Sequence, residues 1–222
     1  MQLSDLITHA GAVIFDFDGT LVDSMWLWTE IDIEFLARFG HPFDRSMQDE
    51  IEGMSITEIA LYFQSHFGIP MSVKEMKQCW IDMSVKKYAE EIGLKPHAGE
   101  LLRALKDLGI PMSICSSSHI DMISACMDHN RIRPYFDFVT TACEVERGKP
   151  SPDIYLLAAE RHHVDPSRCV AFEDVTQGIL SAKAAGMTAV CVYDPFSDMH
   201  MQRNRAAADF FIRDYSEVLS GL

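Results

Sequence analysis

The segment Val13-Ile14-Phe15-Asp16-Phe17-Asp18-Gly19-Thr20-Leu21 constrains the fold more than any other part of this chain. Three apolar residues run into two aspartates spaced by one, and a Gly-Thr turn follows at once. The pattern predicts a buried strand that delivers two carboxylates to its C-terminal end, the edge at which open α/β sheets place their ligands. Two carboxylates there repel each other unless a cation or a shared proton relieves them. A Mg²⁺ ion facing a phosphate is the natural occupant, because hard oxygen ligands suit that ion. Taken alone, the segment fits a strand ending in a solvated acidic turn about equally well. The rest of the chain decides between the two.

Further apolar runs at 111–115, 136–140, 169–172, 188–193 and 210–212 predict strands, and helical patterns fill 100–108, 122–129, 153–162 and 177–185 between them. Such alternation predicts an α/β fold with a doubly wound, parallel, Rossmann-like sheet. The stretch 24–93 breaks the pattern and contains no convincing strand. Trp28, Ile31, Phe35 and Phe39 follow a helical stripe, which reads Trp28 as internal packing. Ser55 to Glu58 and Ser72 to Glu75 both carry the capping-box pattern that opens a helix. Behind the first of these, Ile59, Phe63 and Phe67 form a second stripe, ended by Gly68 and Pro70. The expected organisation is a core domain of residues 1–22 and 94–222, with an α-helical domain of residues 23–93 inserted after the first strand.

Lysine and arginine total 19 against 33 acids, a formal net charge of −14. Such a chain repels nucleic acid and anionic membranes unless basic residues are concentrated somewhere, and the patch at Arg203 and Arg205 is too small for that. No apolar run approaches a membrane span. The first residues lack the basic start and cleavage site of a signal peptide, so a cytoplasmic protein is expected. No dimer interface stands out, which predicts a monomer or weak dimer. The six cysteines include no C-x-x-C pair, and several lie in apolar runs, so buried reduced thiols are expected.

Three further segments fall where a phosphate site on such a sheet would need them. Ser116-Ser117-Ser118 follows the strand ending at Cys115, where hydroxyls and backbone N–H groups make good phosphate donors. Gly148-Lys149-Pro150-Ser151-Pro152-Asp153 sets one lysine ahead of a helix start, with Ser151 suited to the N-cap and Pro152 to the first helical position. Val170-Ala171-Phe172-Glu173-Asp174 repeats the opening theme of an apolar strand ending in paired acids. Two strands that each bring acids to one sheet edge are hard to explain as solvated turns, and together they supply oxygen ligands for one Mg²⁺.

The four motifs, FDFDGTLVDS at 15–24, the serine at the second strand end, KPSPDIY at 149–155 and FEDVTQGI at 172–179, resemble in order and spacing the haloacid dehalogenase superfamily of phosphotransferases. The helical insertion is similar to the α-helical cap of that superfamily's β-phosphoglucomutase-like branch. The resemblance implies Asp16 as the nucleophile that forms an aspartyl phosphate. It implies Asp18 as the acid that protonates the leaving oxygen and later activates water. Ser116, with Ser117, and Lys149 would bind the phosphoryl group. Asp174, Asp16 and the backbone carbonyl of Asp18 would hold Mg²⁺, with Glu173 assisting. An acid at position 18 also argues against carbon–halogen cleavage, whose leaving group needs no proton.

In the inserted domain the match thins. Mutases of the β-phosphoglucomutase type carry a histidine near Trp28 and an arginine near Ile56, and this chain has neither. Loss of the arginine removes the bidentate partner for a second phosphate. The expectation is therefore a phosphatase acting on a small phosphorylated metabolite, with a phosphosugar mutase as the alternative. Trp26, Ser55 in the loop 52–55, Ser118 and His119 are the candidate substrate contacts. A phosphonate hydrolase would need a Schiff-base lysine in the insertion, where Lys74, Lys77, Lys86 and Lys87 all read as solvated. A non-catalytic descendant would have lost Asp16, Asp18, Lys149 or Asp174, and all four are present.

Overall fold

The structure is a computed structural model in which residues 2–43, 47 and 56–222 are described. The chain divides into two compact units, one of residues 1–25 with 92–222 and one of residues 26–91. Among the described residues no helix is long and apolar enough to cross a membrane.

The larger unit is built on six strands: β1 (Ala12–Phe15), β2 (Met112–Ser116), β3 (Phe138–Thr141), β4 (Cys169–Glu173), β5 (Thr188–Val192) and β6 (Phe210–Ile212). All pair in parallel, in the order β3-β2-β1-β4-β5-β6. The chain winds outward from β1 to β3, then returns to the other side of β1 and winds to β6. The direction of winding reverses between β1 and β4, and that reversal opens a crevice at their carboxyl ends. Val13 and Phe15 pair with Val170 and Phe172, so Asp16 and Glu173 leave the sheet side by side.

Strand alternation divides the core. Ala12, Ile14, Ala171, Cys169, Ala189 and Cys191 face α7 (Asp153–His162) and α8 (Thr176–Ala184), which meet them with Ile154, Ala158, Ala159, Ile179 and Ala182. Small residues on both sides let these helices lie close to the sheet. Elsewhere in the core Phe15 stacks on Phe172 at 5.1 Å between centroids, and Tyr215 packs edge-on against both. The helices α5 (Ala98–Asp107) and α6 (Ile120–His129) complete the crossovers, close to their sequence positions. β3 starts two residues later than expected because Arg133–Tyr135 takes a 3₁₀ turn. Three short helices escape the periodicity argument: α1 (Leu3–Thr8), α9 (Met201–Ala207) and α10 (Ser216–Leu219) span two turns or fewer. Ser151 is not the N-cap. Pro152 flanks the helix, and the Ser151 hydroxyl turns to the Asp153 carboxylate, which Arg147 also binds.

The smaller unit is helical: α2 (Leu27–Ala37), α3 (Ile56–Phe67) and α4 (Val73–Glu90). The capping box at Ser72 forms, with Glu75 N–H on the serine hydroxyl and the Ser72 N–H on the Glu75 carboxylate. The matching box at Ser55 lies outside the described residues. Phe35, Phe63 and Trp80 form an aromatic core with centroids 5.2 to 6.2 Å apart. Two readings of this unit need correction. Trp28 is 41 % exposed rather than packed inside, because Leu27 and Ile31 take the inward positions of its turn. Lys87 is buried, not solvated, and its ammonium is ringed by Glu30, Glu34 and Glu91 at 2.7 to 3.5 Å. Among the cysteines, Cys143 is exposed and Cys79 half-buried, while the other four are buried thiols.

Phe15 is completely buried at the centre of the sheet. Phe15→Ala is expected to destabilise the larger unit by about 3–5 kcal/mol through lost burial and a residual cavity. Urea unfolding followed by circular dichroism measures this, and a loss below about 1 kcal/mol would contradict the packing described.

Candidate active site

The turn after β1 is fixed by its own backbone: Leu21 and Val22 N–H groups both return to the Phe17 carbonyl, and the Gly19 N–H bonds the Val22 carbonyl. Gly19 sits at φ +75°, and a Cβ there would lie 2.4 Å from Oδ2 of Asp174. Glycine is thus required twice over, for the left-handed backbone and for the approach of Asp174. The next residue, Thr20, donates its hydroxyl to Asp174 Oδ1 at 3.1 Å, and the Tyr215 hydroxyl holds the Thr20 carbonyl.

Asp16, Glu173 and Asp174 converge, with one carboxylate oxygen from each lying within 4.8 Å of the others, and all three are buried. Lys149 bridges two of them, its Nζ 2.6 Å from Asp16 Oδ1 and 2.6 Å from Glu173 Oε1, and it also donates to the Cys115 carbonyl at 3.1 Å. The Tyr155 hydroxyl, on α7, donates to the same Glu173 oxygen. Glu173 lies against α8 so closely that a Cβ on Gly178 would stand 2.0 Å from its carboxyl. Asn204 on α9 bonds the backbone carbonyl of Asp174 at 2.8 Å and takes the Thr176 hydroxyl on its own oxygen.

Three carboxylates against one ammonium leave the cluster short of positive charge. Burial raises the Asp16 carboxyl to about 7, with Glu173 adding to the rise and Lys149 opposing it. Asp174 is raised well above the usual carboxylate range by burial first, then by the charges of Asp16, Glu173 and Asp194. Lys149 is stripped of water, yet the Asp16 and Glu173 carboxylates together hold its pKa well above the usual lysine value. Glu173 Oε2 and Asp174 Oδ2 are buried with no hydrogen-bond partner among the described residues. Oxygen donors of this kind, acidic and unsatisfied, fit Mg²⁺. A second buried pair, Lys95 with Asp194 at 2.7 Å, balances the next acid along the sheet edge.

Asp18 has different surroundings. One of its carboxylate oxygens takes the Ser24 hydroxyl at 2.7 Å and the other the Ser118 hydroxyl at 2.6 Å. Ser118, expected as a substrate contact, is therefore tied to Asp18. Ser116 is buried at the end of β2 and its hydroxyl accepts the Ser118 N–H, whereas Ser117 is exposed. His119 is exposed and accepts the Asp121 N–H. Trp26 lies in the helical unit under the Lys87 ammonium, 6.0 Å from its ring centre, and Ser55 lies outside the described residues. Thr20, Ser24, Tyr155 and Asn204 were not singled out from sequence. The first three stand inside the motifs already quoted and could have been suspected there, but Asn204 carries no local signal.

A family model described as haloacid dehalogenase-like hydrolase matches residues 13–192, a span that contains Asp16, Asp18, Lys149, Glu173 and Asp174. The chain belongs to that family. It is 34% identical over 205 residues to (DL)-glycerol-3-phosphatase 2 of Arabidopsis thaliana, covering 88% of this chain and 83% of that protein. It is 30% identical over 184 residues to the bifunctional riboflavin kinase/FMN phosphatase of the same plant, covering 82% of this chain but spanning only 48% of that relative. Among solved structures it superposes on a candidate β-phosphoglucomutase from Thermotoga maritima with a TM-score of 0.83 and 26% identity, over 94% of this chain and 96% of the other. The fold is therefore that of the β-phosphoglucomutase-like branch.

The charge imbalance gives a test that needs no substrate. Mg²⁺ at about a hundred times its dissociation constant should stabilise the wild type by about 2.7 kcal/mol in thermal melts. Asp174→Asn should lose that response. A wild-type melt indifferent to Mg²⁺ would remove the cation from the account.

Proposed function

We propose that this chain is a Mg²⁺-dependent phosphatase that hydrolyses a small phosphorylated metabolite through an aspartyl phosphate on Asp16. The observation that carries the reading is the seating of Asp16 against Lys149, beside two buried carboxylate oxygens that have no hydrogen-bond partner among the described residues. The phosphatase relatives are consistent with the same chemistry.

A carboxylate attacks phosphorus without a base once it is ionised. Its obstacle is repulsion from the phosphate. Lys149 lowers that repulsion by bracing the phosphoryl oxygens, and the backbone and hydroxyl groups of Ser116 and Ser117 add donors. Bound by Asp16, Asp174 and the Asp18 carbonyl, with Glu173 beside them, Mg²⁺ would supply the remaining positive charge and polarise the phosphoryl group. Asp18 gives its proton to the leaving oxygen, then takes one from the water that cleaves the acyl phosphate. Ser24 and Ser118 hold both of its oxygens, so its carboxyl plane is fixed for both transfers. The structural likeness to a candidate β-phosphoglucomutase favours a mutase as second reading, but Ile56 and Trp28 offer no cation for a second phosphate.

The test is phosphate release from a panel of sugar phosphates, nucleotides and small organic phosphates, in Mg²⁺ and in EDTA. Release should require Mg²⁺, and Asp16→Asn should abolish it while the melting curve shows a folded protein. Full activity in Asp16→Asn would sink the mechanism. Isomer formation from β-glucose 1-phosphate and its bisphosphate, without net release, would select the mutase. With p-nitrophenyl phosphate, whose leaving group needs no proton, Asp18→Asn should release about one equivalent of nitrophenolate per site and then stall. Steady turnover by that variant at the wild-type rate would take the acid–base role from Asp18.

A further inference from the structure

The helical unit contains a cavity of about 280 Å³ lined by Trp28 and Asp32 of α2, Ile56 and Ile59 of α3, and Trp80 of α4. Two indoles and two isoleucines make it apolar, and one carboxylate stands in it. Asp32 makes no hydrogen bond and no ion pair with any described residue. Among the described residues, three cations of this unit have other partners: Lys87 the three glutamates, Lys77 the Thr57 hydroxyl, and Arg38 the Cys79 sulfur. The Trp80 Nε1 is also buried without a hydrogen-bond partner.

An unpaired carboxylate in an apolar pocket is costly, and its natural remedy is a positive charge. Burial alone pushes the Asp32 carboxyl up to about 7. A bare divalent ion would need several oxygen ligands, and among the described residues the pocket offers one carboxylate. A second phosphate would meet like charge, and a neutral apolar ligand would leave the carboxylate unpaired. A cation that carries its own apolar shell satisfies both the acid and the indole faces.

We propose that this pocket binds an alkylammonium group, with Asp32 as its counter-ion and Trp28 and Trp80 as its aromatic walls. The inference does not depend on the phosphatase reading. The amine could be the end of a phosphorylated amino alcohol or a free effector, and kinetics separate these sources.

The experiment titrates the full-length protein with choline chloride at constant ionic strength and follows tryptophan fluorescence. 3,3-Dimethylbutanol serves as the neutral probe of the same shape. Choline should give a saturable change and bind at least about tenfold more tightly than the alcohol. Asp32→Asn and, separately, Trp28→Leu should each weaken choline at least about tenfold, in proteins whose melting curves show them folded. No saturable change with choline overturns the proposal, and so does equal binding of the alcohol or an unaltered affinity in folded Asp32→Asn. A second arm compares phosphate release from phosphocholine and glycerol 3-phosphate. A loss in Asp32→Asn confined to phosphocholine assigns the amine to the substrate. Choline binding with no such preference assigns it to an effector. A protein that releases phosphate from nothing would fail the phosphatase reading and leave the binding result standing.

Discussion

Burying Asp16, Glu173 and Asp174 together at one sheet edge is the constraint around which the larger unit is arranged. Like charges in a desolvated cluster repel strongly, and a single lysine cannot neutralise three of them. The protein answers with geometry before it answers with charge. Lys149 is wedged between two of the acids, Tyr155 donates to the same Glu173 oxygen that Lys149 holds, and Thr20 takes one oxygen of Asp174. Glycine at 19 and 178 lets the carboxylates approach backbone that any side chain would push away. What geometry leaves over, among the described residues, is two orphan oxygens, and an orphaned buried acceptor is a cost that a bound cation or a proton relieves.

That cluster was legible in the sequence because its members end strands. Asp16 and Glu173 follow apolar runs directly, and pairing of Phe15 with Phe172 carries the two acids to one place without any knowledge of loops. The parallel, doubly wound character of the sheet followed from the same runs and the helices between them. Legibility failed where a residue acts across the fold from a segment with no pattern. Asn204 lies on a helix of under two turns, yet it clamps the Asp174 backbone from thirty positions away in sequence. Tyr215 does the same for Thr20 over a still longer separation. Helical stripes failed differently. A spacing of three and four names a face but not its edge, so the pattern sets Trp28, at the border of its stripe, inside and Lys87, on α4, outside, the reverse of where they lie.

The error over Lys87 matters because it shows how the helical unit handles charge. Glu30, Glu34 and Glu91 all crowd one buried ammonium, so that lysine is over-supplied with partners. Asp32, on the same helix and between two of those glutamates in sequence, shares none of that network. A chain with a net charge of −14 has few cations to spare, and among the described residues none lines the apolar cavity.

The two units therefore present opposite electrostatic problems. The sheet edge gathers acids and keeps its lysine among them, an arrangement suited to a divalent cation and the phosphoryl group it accompanies. The helical cavity isolates one acid among indoles, an arrangement that repels phosphate and suits a soft organic cation. Within the helical unit, Ile56 supplies no fork of donors for a phosphate, and Asp32 sets like charge against one.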